Sequence, residues 1–291
     1  MPEGIVTRVV ANFFDVTDGR EMRRCQARGV FRKRKTKVLV GDRVTYDPIG
    51  SAEGIVTEVL PRKTELVRPP VANVDQALLV FSLVSPDFLP GLLDRLLVSV
   101  AHAGLSAAIV LTKCDLADAQ TVSDKMDPYR KAGYPVFAVV SPQQQGLDAV
   151  RAALAGKVTV FAGPSGAGKS TLANALSPEL GVKMGEVSEK VGRGKHTTRH
   201  VELFELEPNT FIVDAPGFSQ LEVQVDSQDL RLYFPEFSEW TQGCLYRSCL
   251  HVQEDQCAVK EAVEKRQVSR DRYESYCEMY AHIRQKEENK Y

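Results

Sequence analysis

A chain of 291 residues, 43% apolar and 26% charged, has material for two or three packed domains and is neither disordered nor fibrous in composition. Its longest apolar stretch, ALLVFSLV at 77–84, is too short to span a bilayer. The opening MPEGIVTRVV lacks the basic-then-apolar design of a secretory signal, so a cytoplasmic protein without membrane attachment is expected. The net charge of −1 hides an asymmetry. Residues 1–68 carry 14 Lys and Arg against 9 Asp and Glu; residues 69–243 carry 14 against 20; residues 244–291 carry 9 of each. The basic surplus is densest in Arg32, Lys33, Arg34 and Lys35, with Lys37 close behind. A basic module on an acidic body points to a polyanionic partner, although a solvated basic turn explains the charge equally well.

Within residues 1–68 the runs GIVTRVVANFFDV, CQARGVF, GDRVTYDPI and GIVTEVLP place Val, Ile, Phe and Tyr at strand spacing between Gly, Asp and Pro. About five short strands in so few residues predict a small barrel of the OB type. RPPVANVD at 68–75 is expected to be a linker, because paired prolines cannot continue a strand ladder. From Gln76 apolar runs alternate with helical patterns: ALLVFSLV, PGLLDRLLVSVAHAG, AAIVLTK, a polar helical stretch, VFAVVSP, GLDAVRAALAG and VTVFAG. This alternation predicts an α/β sheet of parallel strands covered on both faces. HVELFEL and TFIVDAPG read as a further strand pair. Beyond Phe218 the chain is polar and helical, with periodic stretches at 259–265 and 270–284; Tyr273, Tyr276, Cys277, Tyr280 and Arg284 share one face of the second, expected to pack inward.

Eight residues, Gly163, Pro164, Ser165, Gly166, Ala167, Gly168, Lys169 and Ser170, spell the phosphate loop G-x-x-x-x-G-K-[ST], and Thr171 follows. The glycines let backbone N–H groups curl around a phosphate, Lys169 reaches its oxygens, and the Ser170 hydroxyl is a ligand for Mg²⁺. A strand before the loop and a helical pattern after it set the phosphates at a helix N-terminus.

The base reader lies upstream. Thr112, Lys113, Cys114 and Asp115 follow the strand AAIVL. In GTPases a [N/T]-K-x-D turn reads guanine: the carboxylate accepts from N1–H and from the 2-amino group, a donor pair that adenine lacks. Thr112 stands where asparagine is usual and, lacking the amide, is expected to support the loop less firmly. Ser141, ending the next strand, matches the position that faces guanine O6. Downstream, Asp214-Ala-Pro-Gly217 is a D-x-x-G segment in which Asp214 holds Mg²⁺ and the Gly217 N–H senses the γ-phosphate. GRGKHTTRH at 192–200 supplies a second switch, with Thr197 or Thr198 closing onto Mg²⁺. Base reader, phosphate loop and switches thus occur in rotated order, as in a circularly permuted GTPase domain. The residue after D-x-x-G is Phe218, which cannot orient water; His196 is the candidate catalytic group, with His200 second.

Cys244-x4-Cys249-x-His251-x5-Cys257 offers three thiolates and an imidazole within 14 residues, a closed set for one structural Zn²⁺. Cys277 reads as packing.

With these pieces in place the chain closely resembles the small-subunit-dependent, circularly permuted GTPases of the RsgA type. The resemblance rests on GVFRKRKTKVLVGDRV, TKCD, GPSGAGKS, GKHTTRH, DAPGF and CLYRSCLH…CAVKEAV followed by RYESY, in that order. It implies an OB-like barrel at 1–68, a permuted P-loop GTPase domain at 69–222 and a mostly helical zinc domain at 223–291. It implies a monomeric late assembly factor that binds GTP or GDP, grips the rRNA of the small ribosomal subunit and leaves upon hydrolysis, with His196 catalytic. Departures are Thr112 for Asn and EDQC for E-P-G-C before the last zinc ligand. Two rival readings stay open: a nucleotide-binding RNA chaperone whose hydrolysis is incidental, and a P-loop ATPase or kinase.

Overall fold

The structure, a computed structural model of the chain, describes residues 1–27, 37–67, 70–178, 201–214 and 223–289. It divides into two compact units: Met1–Leu78 with Ser141–Ala162 and Lys169–Gln220, and Leu79–Val140 with Gly163–Gly168 and Leu221–Tyr291.

The first unit begins with strands β1 (Glu3–Val10), β2 (Phe13–Thr17), β3 (Met22–Ala27), β4 (Arg43–Ile49) and β5 (Glu53–Val59). They pair in the order β1-β2-β3-β5-β4, and β4 returns to β1. All pairs are antiparallel except β3–β5. Closure removes exposed strand edges and gives the OB topology expected of these residues. Alternation along the strands turns Val6, Phe14, Val16, Cys25, Val44, Tyr46 and Val56 into the barrel core. The run GIVTRVVANFFDV is not one strand: Ala11 takes φ 54° and folds it into the β1–β2 hairpin. The expected linker also differs. Glu65–Val67 (β6) and Pro70–Ala72 (β7) form a two-stranded antiparallel ribbon. Proline is tolerated because Pro70 opens its strand, where no ladder donor is required.

The remaining elements in chain order are β8 (Gln76–Ser82), α1 (Pro90–His102), β9 (Ser106–Thr112), α2 (Ala119–Lys131), β10 (Val136–Val139), α3 (Leu147–Leu154), β11 (Val158–Ala162), α4 (Lys169–Leu176), β12 (Glu202–Glu207), β13 (Thr210–Asp214), α5 (Ala258–Glu264) and α6 (Arg270–Glu288). Every residue of β8 is buried, as a strand covered on both faces must be. In the first unit β11 pairs parallel with β13, β13 antiparallel with β12, and β12 antiparallel with β1. The strand pair read from HVELFEL and TFIVDAPG is therefore present and antiparallel.

In the second unit β10 runs parallel to β9. Its C-terminal part buries Phe234, Phe237, Val259, Val263, Tyr276, Met279 and Ile283 in one cluster that includes Val98 of α1. The α6 stripe faces this core: Tyr276 is buried, and Tyr273, Cys277 and Tyr280 pack against the cluster, while Arg284 is exposed. Between 230 and 243 the backbone makes three short 3-10 turns rather than α-helix. Among the described residues no helix is long and apolar enough to cross a membrane.

Candidate nucleotide site and metal centre

Gly163 has φ 137°, and a Cβ there would sit 2.0 Å from the Val80 carbonyl oxygen, so the loop leaves β11 against β8 only as glycine. Gly166 and Gly168 also have positive φ, the latter packed against Thr112. Lys169 opens α4, and burial lowers its pKa; Ser170 and Thr171 follow it, exposed.

Thr112 ends β9, Lys113 takes the left-handed conformation at φ 57°, and Cys114–Leu116 form one 3-10 turn. The Thr112 hydroxyl donates to the Ala167 carbonyl at 2.6 Å. The Lys113 ammonium donates to the Gly166 carbonyl at 3.2 Å and to the Ser85 carbonyl. Two neighbouring side chains therefore tie the T-K-x-D turn to the Gly163–Ser170 loop. Thr112, expected to support its turn less firmly than asparagine, nonetheless makes this tie through its hydroxyl at hydrogen-bond length. The Cys114 thiol donates to Leu111 O at 3.1 Å, and Asp115 is exposed next to it. Val139 of β10 lies opposite Thr112 of β9, and Ser141 follows two residues later, buried. Asp214 closes β13, one residue past Val213, which pairs with Val160 of the strand leading to the phosphate loop. His196, Thr197, Thr198, His200, Gly217 and the basic residues 32–35 lie outside the described residues.

The ligand atoms of Cys244, Cys249, His251 and Cys257 lie within 4.8 Å of one another. His251 Nδ1 is 3.3 Å from the Cys257 sulfur and 3.6 Å from that of Cys244, and those two sulfurs are 3.9 Å apart. A tetrahedral ion with Zn–S and Zn–N bonds of about 2.3 and 2.0 Å requires separations of about 3.5 and 3.8 Å, so the donor set fits. Burial pushes the Cys249 thiol up to about 12 and also raises Cys257, a cost that a bound cation removes by stabilising the thiolates. The loop is braced from outside. The Glu254 carboxylate accepts from the N–H groups of Leu250 and Val252 at 2.6 and 3.0 Å, and the Tyr273 hydroxyl donates to His251 O at 2.8 Å. Cys277 belongs to the packed cluster and not to the ligand group.

The model of the RsgA GTPase family matches residues 59–224, and that of the RsgA N-terminal domain matches residues 3–56. The chain belongs to the RsgA GTPase family. It is 45% identical to the small ribosomal subunit biogenesis GTPase RsgA of Geobacillus thermodenitrificans, over 98% of this chain and 99% of that one. It is 43% identical to the protein of the same name from Bacillus subtilis, over 98% of both chains. Among solved structures it is similar to YloQ, described as a circularly permuted GTPase, with TM-score 0.82 and 37% identity over 98% of this chain and 96% of that one. YjeQ from Thermotoga maritima aligns with TM-score 0.82 and 34% identity, over 97% of this chain and 98% of that one. The permuted order read from the motifs is that of the family.

This RsgA-family chain also holds a charged core that its motifs do not announce. Arg272 of α6 is 2% exposed and donates to Asp94 Oδ1 of α1 at 2.6 Å and to both Glu236 oxygens, one of them at 3.0 Å. Its guanidinium lies 5.1 Å from the ring centres of Tyr129 and Phe234 and 5.7 Å from that of Tyr134. Tyr129 belongs to α2, the helix that follows the T-K-x-D turn. Pattern could have found only half of this: a charge inside an apolar helix face flags Asp94, but nothing local pairs it with Arg272.

Proposed function

We infer that the chain is a GTP hydrolase acting in biogenesis of the small ribosomal subunit, and that its single nucleotide site joins the T-K-x-D turn to the phosphate loop. The supporting observation is the double tie from Thr112 and Lys113 to Ala167 and Gly166. One nucleotide held by the loop's N–H groups then has its base at the adjoining Asp115. The carboxylate accepts from guanine N1–H and the 2-amino group; adenine leaves it unpaired. Cys114 and Ser141 line the base, and Gly163 to Thr171 the phosphates. Burial disfavours the charged form of Lys169, and phosphate oxygens beside it would offset that cost by stabilising the ammonium.

Ser170, Thr198 and Asp214 are the residues to hold Mg²⁺, which neutralises charge developing on the phosphate oxygens. Gly217 N–H contacts the γ-phosphate, and His196 orients the attacking water and accepts its proton, a role Phe218 cannot fill. Zn²⁺ is the metal for Cys244, Cys249, His251 and Cys257, in a closed structural set. The barrel (1–68) and the metal-binding region (223–291) flank the GTPase domain (69–222) and grip rRNA, and the protein acts late, in the cytoplasm, as a monomer released upon hydrolysis.

The test is GTP turnover with and without purified small subunits. Stimulation of at least about tenfold is expected, as for couplings of this class; equal kcat in both refutes the reading. Asp115→Asn tests the base: it should weaken GTP at least about tenfold and gain xanthosine triphosphate, whose 2-carbonyl accepts from an amide N–H. An unchanged preference for GTP would mean that the T-K-x-D turn does not read the base, and an ATPase or kinase would return. Loss of subunit-stimulated turnover in His196→Ala, with GTP affinity kept, assigns that histidine.

A further inference from the structure

The barrel and the strand bearing Asp214 are joined by an unbroken row of paired residues. Glu53 on β5 lies opposite Arg24 on β3, Arg24 opposite Asp15 on β2, Asp15 opposite Arg8 on β1, Arg8 opposite Glu202 on β12, and Glu202 opposite Asp214 at the end of β13. Directly opposed residues share a sheet face, and the row alternates in charge from Glu53 to Glu202. Arg24 Nε is 3.8 Å from Asp15, and Arg8 Nε is 4.0 Å from Glu202. Both arginines are about half exposed. Arg24 also covers the exposed ring of Phe13, 5.1 Å from its centre.

The point of attachment is informative. β12 and β13 form a hairpin, and Glu202 and Asp214 are its open end. Chain enters there from the GKHTTRH segment and leaves into DAPG. The barrel thus grips this hairpin at the end from which both nucleotide-sensing segments emerge, through the register pair Arg8 and Glu202. An exposed ion pair of this length contributes little to stability, so it is no structural rivet. For the same reason an anionic ligand can displace it.

We propose that Arg8 and Glu202 are positioning residues for hydrolysis: a phosphodiester backbone bound at the barrel's Arg24 and Arg8 draws Arg8 from Glu202 and shifts the end of the hairpin that carries Asp214. This rests on the reading of the chain as a GTPase stimulated by an RNA-bearing subunit, and it names the route of that stimulation. The same contact is expected to work in the other direction too, the nucleotide state altering the barrel strand β1 through Glu202.

The test uses the full chain with three variants: Arg8→Glu, Glu202→Arg and the double charge reversal. Each single variant should lose most of the subunit-stimulated turnover, about tenfold. The double reversal restores an ion pair but leaves a carboxylate at position 8 that repels phosphate, so it should stay as unstimulated as Arg8→Glu, and full recovery in it would overturn the RNA-driven step. Full stimulation in Glu202→Arg, where Arg8 is intact, would make Arg8 an RNA contact alone and overturn the proposal. A second readout does not need the subunit. Amide hydrogen exchange in β1 should differ at least about threefold between the GDP state and that with a non-hydrolysable GTP analogue, and Glu202→Ala should abolish the difference. If the wild-type chain is not stimulated by subunits, the functional reading fails, while β1 exchange still decides the coupling. Exchange insensitive to nucleotide in the wild type overturns the coupling itself.

Discussion

The barrel and the C-terminal region each bury a carboxylate against an arginine, and they do so differently. In the barrel Asp42 is fully buried, and its oxygens accept from Arg62 Nε and Nη2 at 2.7 and 2.8 Å and from Leu39 N at 2.7 Å. Arg62 itself reaches the surface, where Glu65 meets it. Arg272 of the C-terminal region and its partner Asp94 of α1 are both buried, and Asp94 Oδ2 has no hydrogen-bond partner among the described residues. The barrel is a closed ladder that needs its ion pair only at one corner. The C-terminal region has short turns, two helices, a small aromatic core, a group of three cysteines and a histidine able to hold a metal, and a buried charge. A region with no sheet ladder among its described residues depends on such point contacts, and removing any one should cost it far more than an equivalent change costs the barrel.

Metal removal breaks the comparison hardest. Structural zinc sites supply folding energy on the order of 10 kcal/mol. Trp240, the one tryptophan of the sequence, packs on the C-terminal cluster and reports on it alone. Chelation, or Cys249→Ser, should shift its emission to the red and abolish near-ultraviolet signal from the region. Amide protection in β1 to β5 should persist. Equal loss of barrel protection would show that the two regions do not differ in this way. Next in size is Arg272→Met, which leaves Asp94 and Glu236 buried without a counter-charge. Breaking a buried pair from one side costs about 3–5 kcal/mol, to be read from urea unfolding followed by Trp240. Arg62→Met, where water can reach Asp42's neighbourhood, should cost clearly less.

The contrast also separates what sequence could announce from what it could not. The Gly163–Ser170 loop, the T-K-x-D turn and the group of three cysteines and a histidine are contiguous patterns marked by their spacing, so the segments were legible, and the structure brings the first two together and gathers the third. Barrel strands were legible from alternation, but the fold-back at Ala11 was not, because Asn12 alone, with no glycine after it, is a weak turn mark inside an apolar run. The ribbon at Pro70–Ala72 was hidden by the general rule against proline in strands. The Thr112 bond to Ala167 spans 55 residues and the Arg272 bond to Asp94 spans 178. Such partners are chosen by tertiary packing, as is the register that sets Arg8 opposite Glu202, and no local signal encodes them. His196 and the switch segments rest on sequence and family alone.

The finest distinction is electrostatic, and it has a definite sign. Burial raises the Asp94 carboxyl to about 6, against the opposing pull of Arg272. An unfolded aspartate titrates near 3.8. Between these values the folded chain binds more protons than the unfolded one, so the stability linked to this group is full below about pH 4 and is lost as pH rises through about 6. Lowering the pH from 7 to 5 should therefore stabilise the C-terminal region by about 1 kcal/mol from this group, opposite to the acid sensitivity of a carboxylate that is held ionised by its partners. Asp94→Asn should remove the gain. If instead the wild type loses stability over that range and Asp94→Asn flattens the loss, then attraction to Arg272 outweighs desolvation.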